Sequence, residues 1–272
     1  MKLGFSTWGM PEVNIEDAIP VLATIGYQGI ELTVLERWST SLESLDHDRK
    51  NAIRRLYSEH GVDLPAIAAH SPLTSDQTDI HNQSIWRILG AIELALELAP
   101  DSPPVINTTV GGEQGEWKSK RQLIVDRVGR LCDEAEQAGV LIAMEPHIGS
   151  AIHTPVQMIE LIESVESGAL RVNFDYSHFL AQGMVLEKCV DLLASYTVHT
   201  HLKGVDGRWP DFQFLTPGED EYCYAHEMQL MTEAGYSGYF TAEVSIQVQS
   251  RVGYDPFAHA RLAFDAMTRR SV

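Results

Sequence analysis

The feature that most restricts the fold of this 272-residue chain is a repeated alternation of short β-type runs with longer helix-type patterns. Eight apolar runs predict strands at 3–7, 29–33, 62–70, 104–110, 140–146, 170–175, 197–203 and 238–244. The segments between and after them predict helices at 14–25, 46–60, 79–99, 119–138, 155–166, 185–195, 222–235 and 255–270. Eight such units in succession predict a parallel sheet.

Right-handed crossovers between parallel strands would close these units into a (β/α)8 TIM barrel, and we expect an α/β fold of this kind. Several predicted helices end in glycine before a strand, at Gly26, Gly61, Gly139 and Gly235, as is typical of a left-handed C-cap. An open, doubly wound sheet is the alternative, but no G-x-G-x-x-G follows the first strand. Because no linker or low-complexity segment divides the chain, we expect one domain over 1–272.

Four consecutive predicted strands, the fifth to the eighth, end in a possible metal ligand: Glu145, Asp175, His201 and Glu243. Active sites of TIM barrels lie at this end of the strands, so these side chains should be neighbours. Three carboxylates in a barrel mouth need a cation. We expect one divalent ion, with Mn²⁺ preferred and Mg²⁺, Co²⁺ or Zn²⁺ as alternatives. The competing interpretation is four isolated capping or surface groups.

The seventh predicted strand, TVHTHLK, adds a second polar pattern. His199, His201 and Lys203 share one face because side chains alternate along a strand. We interpret His199, lower in the barrel, as a hydrogen-bonded core histidine. Lys203 either donates to a substrate oxyanion or is an ordinary solvated lysine at a strand end.

The charge of the chain restricts its partners. A formal net charge of -18 disfavours nucleic acids and anionic membranes, because phosphate binding depends on Lys and Arg. Three cysteines without a C-x-x-C pair support neither a disulfide framework nor a thiolate zinc site. The first residues, MKLGFSTWGM, do not form a secretory signal, and no run of about 18 apolar residues occurs. We therefore expect a cytoplasmic location.

With these residues assembled, the chain resembles the xylose isomerase-like barrel superfamily, which includes ketose 3-epimerases, inosose dehydratases, 3-dehydroshikimate dehydratases and metal-dependent AP endonucleases. The resemblance covers nearly the whole chain. It rests on GFSTWG, GYQGIEL, MEPH, NFDYSH, HTHLKG and GYFTAEVS, in this order.

The resemblance implies that Glu145, Asp175, His201 and Glu243 bind one divalent ion. It implies a sugar isomerase or epimerase that acts through a metal-stabilised enediolate, with Glu145 and Glu243 moving the proton on opposite faces of the substrate. His178 resembles the family histidine that holds a substrate oxygen; a loop histidine capping the next helix is the alternative.

Further residues are assigned to the substrate site. Arg208 resembles an arginine that follows the strand-seven histidine in epimerases, although it lies one residue further along. Trp8, just after the first strand, can stack on a sugar face, and His70 ends the third strand. The expected partner is a small carbohydrate-like molecule, and self-association is left open.

Other reactions compete with epimerisation. His147 and Lys203 resemble the dehydratase branches, so a lyase acting on a keto sugar, inosose or dehydroshikimate-like compound is the main alternative; His147 is then an acid or base, or else a loop histidine without a catalytic task. The endonuclease branch needs further metal-binding histidines, but the fourth strand offers Asn107 and Thr108. A barrel that binds sugar without turnover is the third hypothesis.

Overall fold

The computed structural model describes residues 1–269, in which eight parallel strands form a closed barrel and two more form a hairpin. The ten strands are β1 (Lys2–Ser6), β2 (Gly29–Thr33), β3 (Ala66–Ala68), β4 (Val105–Thr108), β5 (Ile142–Met144), β6 (Leu170–Asp175), β7 (Thr197–Leu202), β8 (Gly204–Arg208), β9 (Asp211–Leu215) and β10 (Tyr239–Ala242). Around the barrel the order is β1, β10, β7, β6, β5, β4, β3, β2. The predicted TIM barrel is confirmed.

Helices cover the outside of the barrel. They are α1 (Ile15–Ile25), α2 (His47–His60), α3 (Thr78–Leu98), α4 (Glu116–Ala138), α5 (Pro155–Val165), α6 (Tyr176–Ala181), α7 (Leu186–Leu193), α8 (Tyr224–Glu233), α9 (Ile246–Gln249) and α10 (Pro256–Thr268). Each of the eight predicted helices has an observed counterpart, although residue 270 of the last prediction lies outside the described residues. The short helices α6 and α9 follow strand ends and were not predicted.

Helix α2 illustrates how the local sequence produces this layer. Asp46 caps its first turn by accepting a hydrogen bond from the Arg49 backbone N–H at 2.8 Å. Gly61 ends it in the left-handed conformation, at φ 61°. Ile53 and Tyr57 are buried against the barrel, as expected from their shared face. Within residues 1–269, we find no helix whose length and apolar character would let it cross a membrane.

The antiparallel hairpin β8–β9 is absent from the predicted elements. It pairs Val205 with Phe214 and Gly207 with Phe212. Gly207 has a φ of 83°, and a Cβ there would lie 2.4 Å from the Asp211 carbonyl oxygen, so the turn requires glycine. Val205, Phe212 and Phe214 pack with Ile148 and Ala181, which places the hairpin over the barrel mouth.

Candidate metal centre and cavity

The four predicted ligands lie at the carboxyl ends of adjacent barrel strands. Asp175 is the last residue of β6, His201 lies near the end of β7, and Glu145 and Glu243 follow β5 and β10. In the barrel, β5, β6, β7 and β10 are consecutive neighbours. The closed order therefore brings together residues that are 98 positions apart in sequence, from 145 to 243.

One possible ligand atom from each of these side chains lies within 4.8 Å of the others. His201 Nδ1 is 3.4 Å from Glu145 Oε1 and 3.2 Å from Glu243 Oε2. All four residues are buried. The structure thus brings the predicted set together, and four isolated surface groups do not describe it.

Lys203 lies among the three carboxylates of this cluster. Its Nζ is 2.9 Å from Asp175 Oδ2 and 4.0 Å from Glu145 Oε1, and it donates a hydrogen bond to Glu243 Oε2. Burial alone would lower the pKa of Lys203, but Asp175, Glu243 and Glu145 outweigh burial and raise it. Lys203 is therefore a buried counter-charge and not a solvated strand-end lysine.

A second polar layer lies beneath the cluster and centres on Glu31, a residue absent from the predicted site. Glu31 Oε1 and Oε2 are each 3.1 Å from His201 Nε2, and Oε2 is 2.9 Å from His199 Nε2. Ser6 Oγ donates to Glu31 Oε1, and Asn107 Nδ2 donates to Oε2 at 3.4 Å. Both histidines face inward, as the alternation on β7 predicts, and His199 is buried.

Electrostatic coupling is strong in this second layer. Burial would raise the pKa of Glu31, but His201 and His199 hold it well below its usual value. Burial would lower the pKa of His201, but Glu31 and Glu243 raise it well above its usual value. Binding of a metal ion to this ring would therefore be coupled to proton release. The signal for Glu31 in the sequence is a carboxylate inside the apolar run GIELT.

His178 and His147 lie against each other beside the carboxylates, with ring centroids 4.0 Å apart and ring planes tilted by 46°. The Ile148 backbone N–H donates to His178 Nδ1 at 3.3 Å, which leaves Nε2 3.6 Å from Glu145 Oε1 and from Asp175 Oδ2. His178 therefore faces the cluster from within α6. Burial, and then His178, lower the pKa of His147 to about 3, so its ring is neutral near pH 7.

A cavity of about 390 Å³ opens directly above the cluster. Its wall consists of Trp8, His70, Thr109, Gly111, Gly112, Glu145, His147, Ile148, Gly149, Ser150, Lys203, Phe214, Glu243, Ser245 and Ile246. Trp8 stacks on Trp38 at 4.9 Å and meets the His70 ring edge-on at the same distance. The structure thus places three predicted substrate-site residues, Trp8, His70 and Lys203, in this wall. His178 is not among the lining residues of the described part of the chain.

Two residues of the hairpin differ from the prediction. Phe214 was not predicted but lines the cavity, whereas Arg208 was predicted but does not. The Phe214 ring lies 5.1 Å from the His178 ring and 5.3 Å from Lys203 Nζ. Arg208 is exposed on β8 and donates to the Gly207 carbonyl oxygen at 3.3 Å. Arg208 is not among the cavity-lining residues of the described part of the chain. It is the last residue of β8, paired with Asp211 next to the hairpin turn.

Comparison with known protein families matches residues 19–262 to one family, described as the xylose isomerase-like TIM barrel. The chain belongs to this family. The match spans most of the barrel, from α1 to α10, and therefore includes all four residues of the cluster.

Individual relatives of this xylose isomerase-like barrel differ in the reactions that their names describe. The chain is 22% identical to a fructoselysine 3-epimerase of Escherichia coli O157:H7, over 97% of the chain and 96% of the relative. It is 25% identical to an inosose dehydratase of Geobacillus thermodenitrificans, over 53% of the chain and 51% of the relative, so that alignment spans about half of each protein. A solved structure of the IOLI protein with a bound zinc atom is similar at a TM-score of 0.81 and 19% identity, covering 98% of the chain and 96% of that protein.

The donor set of this xylose isomerase-like barrel fits a divalent metal ion. Three carboxylates and one imidazole converge, which suits a hard or borderline cation. Asp175 Oδ2 and His178 Nε2 are buried and have no hydrogen-bond partner within residues 1–269, although Lys203 Nζ lies near Asp175 Oδ2. Buried polar atoms of this kind call for a further partner, and a cation with its bound water would supply one.

Proposed function

We propose that this protein is a divalent-metal-dependent isomerase or epimerase of a small sugar or related polyhydroxy carbonyl compound. The observation that carries the proposal is the placement of two carboxylates, Glu145 and Glu243, in both the ligand cluster and the cavity wall. Each can therefore reach a substrate held above the cluster. The full-length similarity to a fructoselysine 3-epimerase supports the same reaction class.

Glu145, Asp175, His201 and Glu243 would hold the ion. When bound, it would act as a Lewis acid that polarises a substrate carbonyl and acidifies the adjacent C–H bond. We propose Mn²⁺, because three of the four ligands are oxygen atoms. Zinc in the IOLI structure and the imidazole of His201 keep Zn²⁺ as an alternative.

The proton would move between the substrate carbon and the two glutamates. One carboxylate removes the proton from one face of the carbon next to the carbonyl, and the protonated form of the other returns a proton to the opposite face. The configuration at that carbon is thereby inverted. Both carboxylates are buried except for the small surface that they present to the cavity.

Neighbouring side chains would orient the sugar. Because the Ile148 backbone N–H donates to His178 Nδ1, that nitrogen is an acceptor, and Nε2 is left to donate to a substrate hydroxyl. Trp8 offers an aromatic face for sugar C–H groups, and His70 lies beside it. Arg208 remains a prediction from the sequence, and its exposed position outside the cavity wall does not favour a substrate contact.

A lyase or dehydratase is the second candidate. The observation that favours it is the Lys203 ammonium, which lies in the cavity wall next to Glu145 and Glu243. After a glutamate removes the proton from carbon, the ammonium can give a proton to a departing β-hydroxyl group, which then leaves as water. His147, neutral in the same wall, can accept a hydrogen bond from that hydroxyl group.

The test is solvent exchange in deuterium oxide with Mn²⁺ and a panel of ketoses, inososes and ketoglycosides. An epimerase should incorporate deuterium at the carbon next to the carbonyl and change its configuration, whereas a lyase should release an ultraviolet-absorbing enone. Glu145→Gln should abolish exchange, and Glu163→Gln, on the exposed surface of α5, should retain it. Saturable sugar binding without exchange or elimination across the panel would identify a non-catalytic binder and overturn the proposal.

A further inference from the structure

Glu31 lies where it can control one ligand of the proposed metal site without touching the ion itself. It is fully buried on β2, beneath the cluster, and both of its oxygens are 3.1 Å from His201 Nε2. The opposite ring nitrogen, Nδ1, faces Glu145 and Glu243. One imidazole thus connects the two layers.

The direction of these hydrogen bonds follows from chemistry. An ionised carboxylate can accept hydrogen bonds but cannot donate them, so His201 must donate its Nε2–H to Glu31. A ring that keeps its proton on Nε2 presents the Nδ1 lone pair to a metal ion. We propose that Glu31 is a positioning residue that fixes His201 in this tautomer and thereby sets the metal affinity of the site; the inference rests on the metal site of the proposed function.

Two asparagine amides lie between Glu31 and the His201 ring. Asn107 must use its amide Nδ2 to donate to Glu31, so its carbonyl Oδ1 is left as an acceptor. Asn173 Nδ2 donates to that oxygen at 3.2 Å and also lies 3.2 Å from His201 Nδ1. Asn107 Nδ2 also lies 3.4 Å from the other ring nitrogen, Nε2, so amide groups lie beside both nitrogens. Glu31 therefore acts on the tautomer through its direct contact with Nε2.

Glu31→Gln keeps the size of the side chain but removes its charge and its exclusive role as an acceptor. Loss of a carboxylate behind a metal-bound histidine costs about 10–100-fold in metal affinity. We expect a loss of that size for Mn²⁺. Ser6→Ala is the matched control, because it removes another contact to Glu31 and leaves the Glu31–His201 contact in place; its affinity should stay within about threefold of the unsubstituted protein.

The experiment combines calorimetric Mn²⁺ titration of both variants with a spectroscopic measurement on the unsubstituted protein. Long-range ¹H–¹⁵N spectra of histidine-labelled protein with Zn²⁺ should show His201 coordinated through Nδ1 with a proton on Nε2. The His201 signals are assigned by their loss in His201→Gln. This measurement remains decisive if Glu31→Gln does not fold.

The outcomes separate the two proposals. If the unsubstituted protein binds neither Mn²⁺ nor Zn²⁺ saturably, the proposed metal site is wrong and the role of Glu31 is wrong with it. If the protein binds metal but Glu31→Gln retains the affinity within about threefold, or His201 coordinates through Nε2, the metal site stands and the inference about Glu31 is overturned.

Discussion

Replacement of Lys203 by methionine tests the electrostatic balance of the cluster most directly. The Lys203 side chain is 5% exposed and ion-pairs with Asp175 at 2.9 Å and with Glu243. Methionine retains most of the aliphatic length and removes the charge. The third carboxylate near Lys203 Nζ is Glu145. The substitution therefore leaves three buried carboxylates without their ammonium partner.

The expected cost follows from the burial of both partners. Removing one member of a buried ion pair destabilises a protein by about 3–5 kcal/mol, because the remaining charge is left uncompensated. The change in packing adds at most about 1.5 kcal/mol. In a chain of this size each kcal/mol lowers Tm by about 2–4 °C, so Tm should fall by roughly 6–20 °C from the charge effect alone.

A divalent ion should rescue this variant. Its two positive charges would lie among the same carboxylates, so the loss in Lys203→Met should shrink by more than half at saturating Mn²⁺. The assay is urea unfolding with EDTA and with Mn²⁺. Lys120→Met is the matched control, because Lys120 is partly exposed and pairs with Asp76 and Glu116 outside the barrel mouth, so this variant should show little loss under either condition. An equal loss for Lys203→Met with and without Mn²⁺ would refute the reasoning.

Three further predictions concern acid–base behaviour, helix capping and metal removal. Burial raises the pKa of Glu227 to about 8, although the Tyr222 hydroxyl lowers it, so the folded protein keeps a proton that the unfolded chain releases above about pH 4.5. Stability should therefore fall from about pH 4.5 to 8, by up to about 1.4 kcal/mol per pH unit, and Glu227→Gln should remove that slope in urea unfolding; parallel slopes for the two proteins would contradict this assignment. Thr154→Ala breaks the capping box with Gln157 and should cost about 1 kcal/mol in thermal unfolding, and an unchanged Tm would contradict the role of the cap. Because a bound ion stabilises only the folded state, EDTA should lower Tm and Mn²⁺ should restore it. A Tm that neither EDTA nor Mn²⁺ changes would argue against the metal site.

The barrel could be predicted because strand and helix patterns alternate along the whole sequence and several helices carry clear local signals. A helix such as α2 has an N-cap at Asp46, an apolar face and a C-cap at Gly61, all of which are visible in the sequence. Sequence order then fixes the neighbours in a parallel barrel, so the convergence of Glu145 and Asp175 follows from topology. No side-chain detail was needed for that step.

Residues that act across strands were harder to predict. Glu31 sits within an apolar strand run and meets His201 through the barrel interior, a contact between β2 and β7, which are not neighbours in the sheet. Phe214 reaches the cavity through a hairpin whose pattern is short and rich in polar residues. Arg208 shows the converse, since it resembles the family arginine that follows His201, one residue further along, but it lies exposed on β8. Such contacts depend on tertiary geometry that local periodicity does not encode.

The register of β7 explains why one stretch of chain contributes a side chain at each depth of the site. Successive inward residues are about 6.7 Å apart along a strand, so His199 lies beside Glu31, His201 spans Glu31 and the cluster, and Lys203 lies among the carboxylates. An irregularity in β6 after Val172 aligns Asn173 with His199 and Asp175 with His201. A one-residue slip of β7 would turn all three side chains outward. The proposed metal affinity, the proposed His201 tautomer and the Lys203 counter-charge therefore depend on a single strand register.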